Sequence, residues 1–329
     1  MSSLTVILAN YNHARFLPFS LDSLLRQTRA PDELIVVDDA SSDDSIAIIE
    51  KTIAGVPYAR LERNPGNLGC LGTQNRVIPT VRGDVILLAA ADDLYYPGLI
   101  EKGMALMTAY PLAGIFSARS DLVDADGCNV HLFDTPMPIK QPGYLSPAES
   151  ARHLMRDDSW FMGNVSLYRR DHLLAEGGMA KDLGSFADGY MARILSLKHG
   201  ACYTPEVLGA WRRMDSGMAM SHINSVDDVK ATIARVQSKM RDCGTLFPAG
   251  YAERWGKRYL FGAYRAAAQQ RRLSGSGLAR AVVAAYYAIV DLRLFLQLRP
   301  FDVGSLLRRR VDSLRRLLSP RTSSVSSAE

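Results

Sequence analysis

An apolar run of strand length that stops at two carboxylates constrains this chain more than any other stretch. Gly83-Asp84 leads into Val85-Ile86-Leu87-Leu88-Ala89-Ala90-Ala91, and Asp92-Asp93 follow at once. A continuous apolar run of this length reads as a strand buried on both faces, the pattern of a parallel sheet. Two ionised groups at its end are costly to desolvate unless a cation offsets them. A divalent ion carrying a phosphate would do so, since hard cations take carboxylate oxygens. The same pair could instead cap a helix beginning near Pro97. The pair alone leaves both readings open.

The pattern recurs along the chain. Residues 4–9 read as a first buried strand, closed by the polar turn Asn10-Tyr11-Asn12. Residues 13–27 carry Phe16, Leu17, Leu21, Leu24 and Leu25 at helical spacing. Residues 33–37 form a second apolar run ending in Asp38-Asp39, and Ser41 to Asp44 supply capping chemistry for a helix to about Ile53. A loop of turn formers, 63–69, precedes a helix with Gln74 and Asn75. Its glycines lack the dinucleotide spacing G-x-G-x-x-G. Pro97 opens a helix through about Tyr110.

This β-α-β-α-α-β-α order predicts an open parallel α/β sheet with right-handed crossovers. Ligands of such sheets bind at the carboxyl ends of the strands. Three polar clusters fall there: Asn10-Tyr11-Asn12, Asp38-Asp39 and Asp92-Asp93.

From Ile115 the alternation fades. Residues 115–123 predict a strand, 124–127 a hairpin turn, 133–147 a proline-rich loop and 148–156 a short helix. A strand is expected over 160–168, starting at Trp160 and Phe161, whose rings either stack on a substrate or belong to the core. Asp188 opens a helix ending at Gly200, and 205–211 is the last strand. Beyond about Ser221 three helical patterns follow, 226–243, 251–273 and 278–298. A helix with an apolar stripe among arginines comes next, and then a disordered tail over 319–329.

Charge and cysteine placement narrow the class. The 329 residues are 47% hydrophobic and 22% charged, enough to bury a sizeable core. The net charge of +5 equals the excess of seven arginines over Asp302 and Asp312 within 299–321, so the rest is near neutral. That basic patch lacks interleaved aromatics, which argues against nucleic-acid binding. Cys70, Cys128, Cys202 and Cys243 are far apart, which argues for reduced thiols and against a zinc site. No signal peptide is expected, and the longest apolar run, 281–290, is too short to span a bilayer.

The ordered motifs resemble the family 2 glycosyltransferases of GT-A fold. They are Val6-Ile7-Leu8-Ala9-Asn10-Tyr11-Asn12, Leu21-Asp22-Ser23-Leu24-Leu25-Arg26-Gln27-Thr28 and Glu33-Leu34-Ile35-Val36-Val37-Asp38-Asp39-Ala40-Ser41. Asn67-x-Gly69, Gly83-Asp84, Ala91-Asp92-Asp93, Ala187-Asp188 and Trp211-Arg212 follow. The resemblance spans roughly 4–221. It implies a Rossmann-like, mostly parallel α/β sheet flanked by helices, with a nucleotide-binding half (1–114), an acceptor half (115–221), and a helical extension (222–318). It also implies metal-dependent, inverting transfer from a nucleotide-sugar donor, UDP-linked by expectation, to a glycan or lipid-linked acceptor in surface polysaccharide assembly.

By the same resemblance Ala9 and Tyr11 wall the nucleotide base, Asp39 binds base or ribose with Asp38 beside it, and Asn67 and Ala91 line the donor. Asp92 coordinates Mg²⁺ or Mn²⁺, Asp93 lies beside sugar and metal, Trp160 and Phe161 meet the acceptor, and Asp188 is the catalytic base. The sequence departs from the family at Ala90, where the first acid of D-x-D stands, and at Met214, where a histidine is frequent; His222 is shifted. Two rivals stay open: a degenerate transferase acting as a scaffold, and a sugar nucleotidyltransferase. The expected location is cytoplasmic, with 299–318 either on the inner membrane face or at a helical partner surface, and the oligomeric state open.

Overall fold

In the computed structural model, residues 2–127, 130–133, 135–214 and 226–260 are described. All fall within one compact unit, Met1–Ala263. Cys128, His222, the helices expected over 278–318 and the tail 319–329 lie outside them.

The first half follows the sequence closely. Strands β1 (Leu4–Asn10), β2 (Glu33–Asp38) and β4 (Val85–Ala90) alternate with helices α1 (Leu17–Leu25), α2 (Ser45–Ile53) and α3 (Cys70–Val77). The buried strands pair in parallel, Leu8 facing Val36 on one side and Ala89 on the other. Helix α1 starts at Leu17, with Pro18 in its first turn, because residues 13–16 form a turn that bonds back to the His13 carbonyl.

The sequence pattern missed β3 (Ala59–Arg63), which pairs in parallel with β2 at the sheet edge. An edge strand needs few apolar residues, and this one is laced by ion pairs from Arg60 to Glu33 and Glu62. Pro97 precedes α4 (Leu99–Ala109), and Gly98 at φ 91° stands at its N-cap. The carboxylates of Asp92 and Asp93 therefore do not cap this helix.

The second half departs further. The sheet has ten strands among the described residues, ordered β3-β2-β1-β4-β9-β6-β10-β5. Here β5 is Leu94–Tyr95, β6 is Ile115–Val123, β9 is Leu167–Arg169 and β10 is Ala201–Arg212. Strand β9 runs antiparallel to both β4 and β6, and β10 runs parallel to β6. Strands β1, β2, β3, β4, β6 and β10 therefore point the same way. Two short strands, β7 (Val130–Leu132) on β6 and β8 (Gly143–Leu145) on β10, complete the sheet. The strand expected over 160–168 is mostly irregular, with a 3₁₀ turn at Gly163–Val165 and pairing only from Leu167. The loop expected over 133–147 holds β8, which the sequence did not mark.

Helix α5 (Pro147–Asp157) is closed by a capping box of Ser146 and Glu149. Helices α6 (Arg170–Ala175), α7 (Ala187–His199) and α8 (Val226–Asp242) follow, and residues 251–260 are helical. One apolar cluster packs α1, α2 and α4 on one face of the sheet. The other gathers α5, α7, α8 and the helix over 251–260 through Leu154, Met191, Val236 and Trp255. No helix of the described residues is long and apolar enough to cross a membrane.

Candidate active site

Topology brings the acids to one rim. The carboxyl ends of β1, β2 and β4 carry Asn10-Tyr11-Asn12, Asp38-Asp39 and Asp92-Asp93. Helix α7 runs back toward the start of β10, so its N-terminal turn, with Asp188, lies at the same edge.

Cys70, the first residue of α3, reports the convergence. Burial pushes its thiol up to about 12, and the negative charges of Asp92, Asp39, Asp188 and Asp93 push the same way. Four carboxylates separated by up to 149 positions therefore lie within electrostatic reach of one side chain.

Each acid has its own environment. Asp38 is fully buried, with Oδ2 accepting from Asn10 Nδ2 at 2.8 Å and Oδ1 from the Ser41 N–H at 2.9 Å. Oδ2 thus ties Asp38 to the end of β1 and Oδ1 to the turn after β2, so Asp38 joins the two strand ends. Asp39 is 2% exposed, and its Oδ1 accepts from Asn64 Nδ2 at 2.6 Å and the Leu68 N–H at 2.9 Å. It thereby pins the loop 64–69 against β2.

Asn64, missed by the sequence reading, also donates to Thr73 Oγ1 at 2.8 Å. Its signal was there: a polar residue heading a turn-former loop next to paired acids. Asn67 is exposed and its Oδ1 takes the Gly69 N–H at 2.9 Å, a local turn that sets up α3. Tyr11 is 45% exposed at the rim, whereas Ala9 and Ala91 are buried wall.

The end of β4 is tightly held. The Ala90 N–H donates to Tyr95 Oη at 2.7 Å, and that hydroxyl returns to the Ala90 carbonyl at 3.1 Å. Asp93 is buried and its Oδ1 accepts the Arg212 N–H at 2.9 Å. Burial and the neighbouring Asp92 charge raise its pKa well above the ordinary carboxylate value. The Arg212 guanidinium turns back, Nε donating to the Asp92 carbonyl at 2.8 Å and its face resting on Phe16 at 5.0 Å. Asp93 and Arg212 thus clamp β4 to β10.

Asp92 is different. Among the described residues no other side chain hydrogen-bonds its carboxylate. Burial raises its pKa, and the charges of His13 and Arg212 pull it back. His13, in the turn before α1, therefore lies within electrostatic reach of Asp92.

Asp188, the second residue of α7, takes the Gly189 N–H on Oδ1 at 2.6 Å. Desolvation raises its pKa, opposed by that N–H and by Arg193. Its Oδ2 fills the space beside Gly163. Trp160 does not reach the cleft. It is fully buried, tilted against Phe161 at 3.8 Å and edge-on to Tyr203 at 5.6 Å. Phe161 is 8% exposed. Both rings belong to the apolar core.

No group of three or more histidine, cysteine or acidic side chains is placed to hold a metal among the described residues. Among the described residues Asp92 offers carboxylate oxygens that no side chain hydrogen-bonds, set among like charges. A divalent ion held by one carboxylate and completed by phosphate oxygens fits that donor set.

Residues 5–128 match the model of Glycosyl transferase family 2. Among curated proteins, an uncharacterized glycosyltransferase of Nostoc sp. is 27% identical over 172 residues, 52% of this chain and 52% of that protein. A Mycobacterium tuberculosis protein is 26% identical over 217 residues, 64% of this chain and 66% of that one. The matched stretches thus span about half to two thirds of these relatives.

Among solved structures, Staphylococcus aureus TarS residues 1–349 with UDP-GlcNAc aligns at TM-score 0.64 and 14% identity, covering 90% of this chain and 84% of that one. A mannosyltransferase from Pyrobaculum calidifontis with GDP-Man and Mn²⁺ aligns at 0.57 and 19%, covering 96% and 87%. These likenesses are of fold.

Proposed function

From the match of residues 5–128 to the family 2 glycosyltransferase model, we propose that this chain transfers a sugar from a nucleotide-sugar donor to an acceptor hydroxyl with inversion. The observation that carries the reading is the gathering of Asp39, Asp92, Asp93 and Asp188 around Cys70 at one rim of the sheet.

Asp39 and the loop it pins hold the nucleoside, with Tyr11 as the open ring beside it. Asp92 would hold Mg²⁺ or Mn²⁺, which when bound offsets the charge of the leaving diphosphate. Asp188, across the cleft on α7, accepts the proton of the attacking hydroxyl. General-base help of this kind contributes roughly 10²–10⁴-fold. Asp93 and Arg212 keep the end of β4 in place while the donor binds.

A UDP-sugar donor, a glycan or lipid-linked acceptor and a role in surface polysaccharide assembly at the inner membrane face complete the reading. The arginine-rich stretch 299–318 would contact anionic headgroups. Sedimentation with anionic liposomes at low salt, lost on deleting 299–329, checks that contact.

The function itself is tested by incubating the protein with UDP-, GDP- and dTDP-sugars and Mn²⁺, following release of nucleoside diphosphate. Release from one donor class, absent in Asp188→Asn, is the expected result. No binding and no release with any of them overturns the reading.

A further inference from the structure

Asp158 is held as aspartates seldom are, at φ 62° and ψ −125° just past the end of α5. Such a backbone persists only where its surroundings over-determine it, and it clusters at functional sites. Its carboxylate is 4% exposed and is met by donors from two other helices. Oδ1 accepts from Tyr251 Oη at 2.6 Å and from Arg193 Nη2 at 3.2 Å. Oδ2 faces Arg258 Nη1 at 2.8 Å.

Arg193 is 1% exposed and stands on α7. Its Nε donates to Tyr251 Oη at 2.7 Å and its Nη1 to the Gly189 carbonyl at 2.7 Å. Gly189 follows Asp188 and gives its own N–H to the Asp188 carboxylate at 2.6 Å. One guanidinium therefore joins the turn that carries Asp188 to a buried carboxylate and to the helix over 251–260.

Well-packed apolar residues commonly replace a buried ion cluster at no loss. A buried cluster whose guanidinium bonds the Gly189 carbonyl, next to Asp188, points to the site instead.

We infer that Arg193 is a positioning residue for Asp188, held in register by Asp158, Tyr251 and Arg258, so that the helix over 251–260 completes the active site. The inference rests on reading Asp188 as the base. The Arg193 charge opposes the desolvation that favours protonation of Asp188. The other groups facing Asp188 are Cys70 on α3 and Tyr168 on β9. Neither is a cation, so among the described residues Arg193 is the positive charge that acts on it.

The test reads Asp188 directly, by carbon-13 NMR of aspartate-labelled full chain, with the resonance identified by its loss in Asp188→Asn. Arg193→Met raises the Asp188 titration midpoint by about one unit, and Arg193→Lys restores most of the shift. Tyr251→Phe keeps every charge and the ring, and so guards against a variant that does not fold. It lowers kcat by about tenfold with donor KM unchanged, the signature of a misplaced base.

An unchanged midpoint in folded Arg193→Met protein overturns the inference, and so does a Tyr251→Phe enzyme with wild-type kcat. Failure of the underlying reading looks different. There, Asp188→Asn turns over normally whatever the Arg193 variants do to the midpoint.

Discussion

The Asp188 carboxylate occupies the space a side chain at Gly163 would need: a β-carbon built there stands 2.1 Å from Asp188 Oδ2. The backbone at Gly163 makes no demand for glycine, since its φ is not among the positive ones. The requirement is room. Gly163→Ala is expected to push Asp188 out of register and cut turnover by on the order of 10²-fold. Overpacking should also cost about 1–3 kcal/mol of stability. Steady-state donor turnover and chemical denaturation of the same preparation check both numbers.

Asp188→Asn should remove roughly 10²–10⁴-fold of kcat while leaving donor affinity near wild type. The pH profile carries the sign. A base acts only when ionised, and the protein crowded around Asp188 raises its pKa although the residue stays open to solvent. Activity should therefore fall as pH drops through a midpoint above the ordinary aspartate value of about 3.9. A wild-type kcat/KM profile whose acid limb lies at or below that value contradicts the assignment.

Asp92→Asn should stabilise the ligand-free protein at neutral pH. Burial raises the folded-state pKa of Asp92, so between the unfolded and folded values the native state holds more protons. Its stability contribution is complete below the unfolded pKa and is lost as pH rises through the folded one. An asparagine has no such loss. A melting temperature higher by about 2–4 °C at pH 7, converging with wild type near pH 4, is expected. Added Mn²⁺ should raise the wild-type melting temperature and leave that of the variant unchanged.

Asp39→Ala should weaken nucleotide binding and loosen the loop that follows β3. Its Oδ1 serves both Asn64 Nδ2 and the Leu68 N–H. A buried donor left without a partner costs about 1–3 kcal/mol, and the loss here is smaller because Leu68 is exposed and Asn64 keeps Thr73. Titration calorimetry with UDP and hydrogen exchange at Leu68 check the two effects separately. Normal binding with a loosened loop would confine Asp39 to a structural role.

Strong local patterns made the first half of the fold legible. The runs ending at Asp38 and Ala91 are buried strands because nothing but a two-sided core suits them. The weak patterns failed for equally physical reasons. Strand β3 is an edge held by Arg60 and its glutamates, so it lacks the apolar signature. Residues 160–166 are buried like a strand but bond through Ser117 and Ser166 side chains, with the Met162 N–H on Ser117 Oγ at 3.1 Å. Pairing of β9 between β4 and β6 joins residues some 80 and 50 positions apart, which periodicity cannot report.

The residue types at the rim, and their place at strand ends and at one helix start, were determined by the sequence alone. Alternation and turn chemistry act over a few residues, and a single chain displays them. Tertiary structure decided what each acid is free to do. It turned Asp38 inward, tied Asp93 to Arg212 and left Asp92 without a side-chain partner. It also set Asp188 over Gly163, one turn from a guanidinium held by Tyr251. Hydrogen-bond partners and desolvation depend on which distant segments meet, and only the packed sheet settles that.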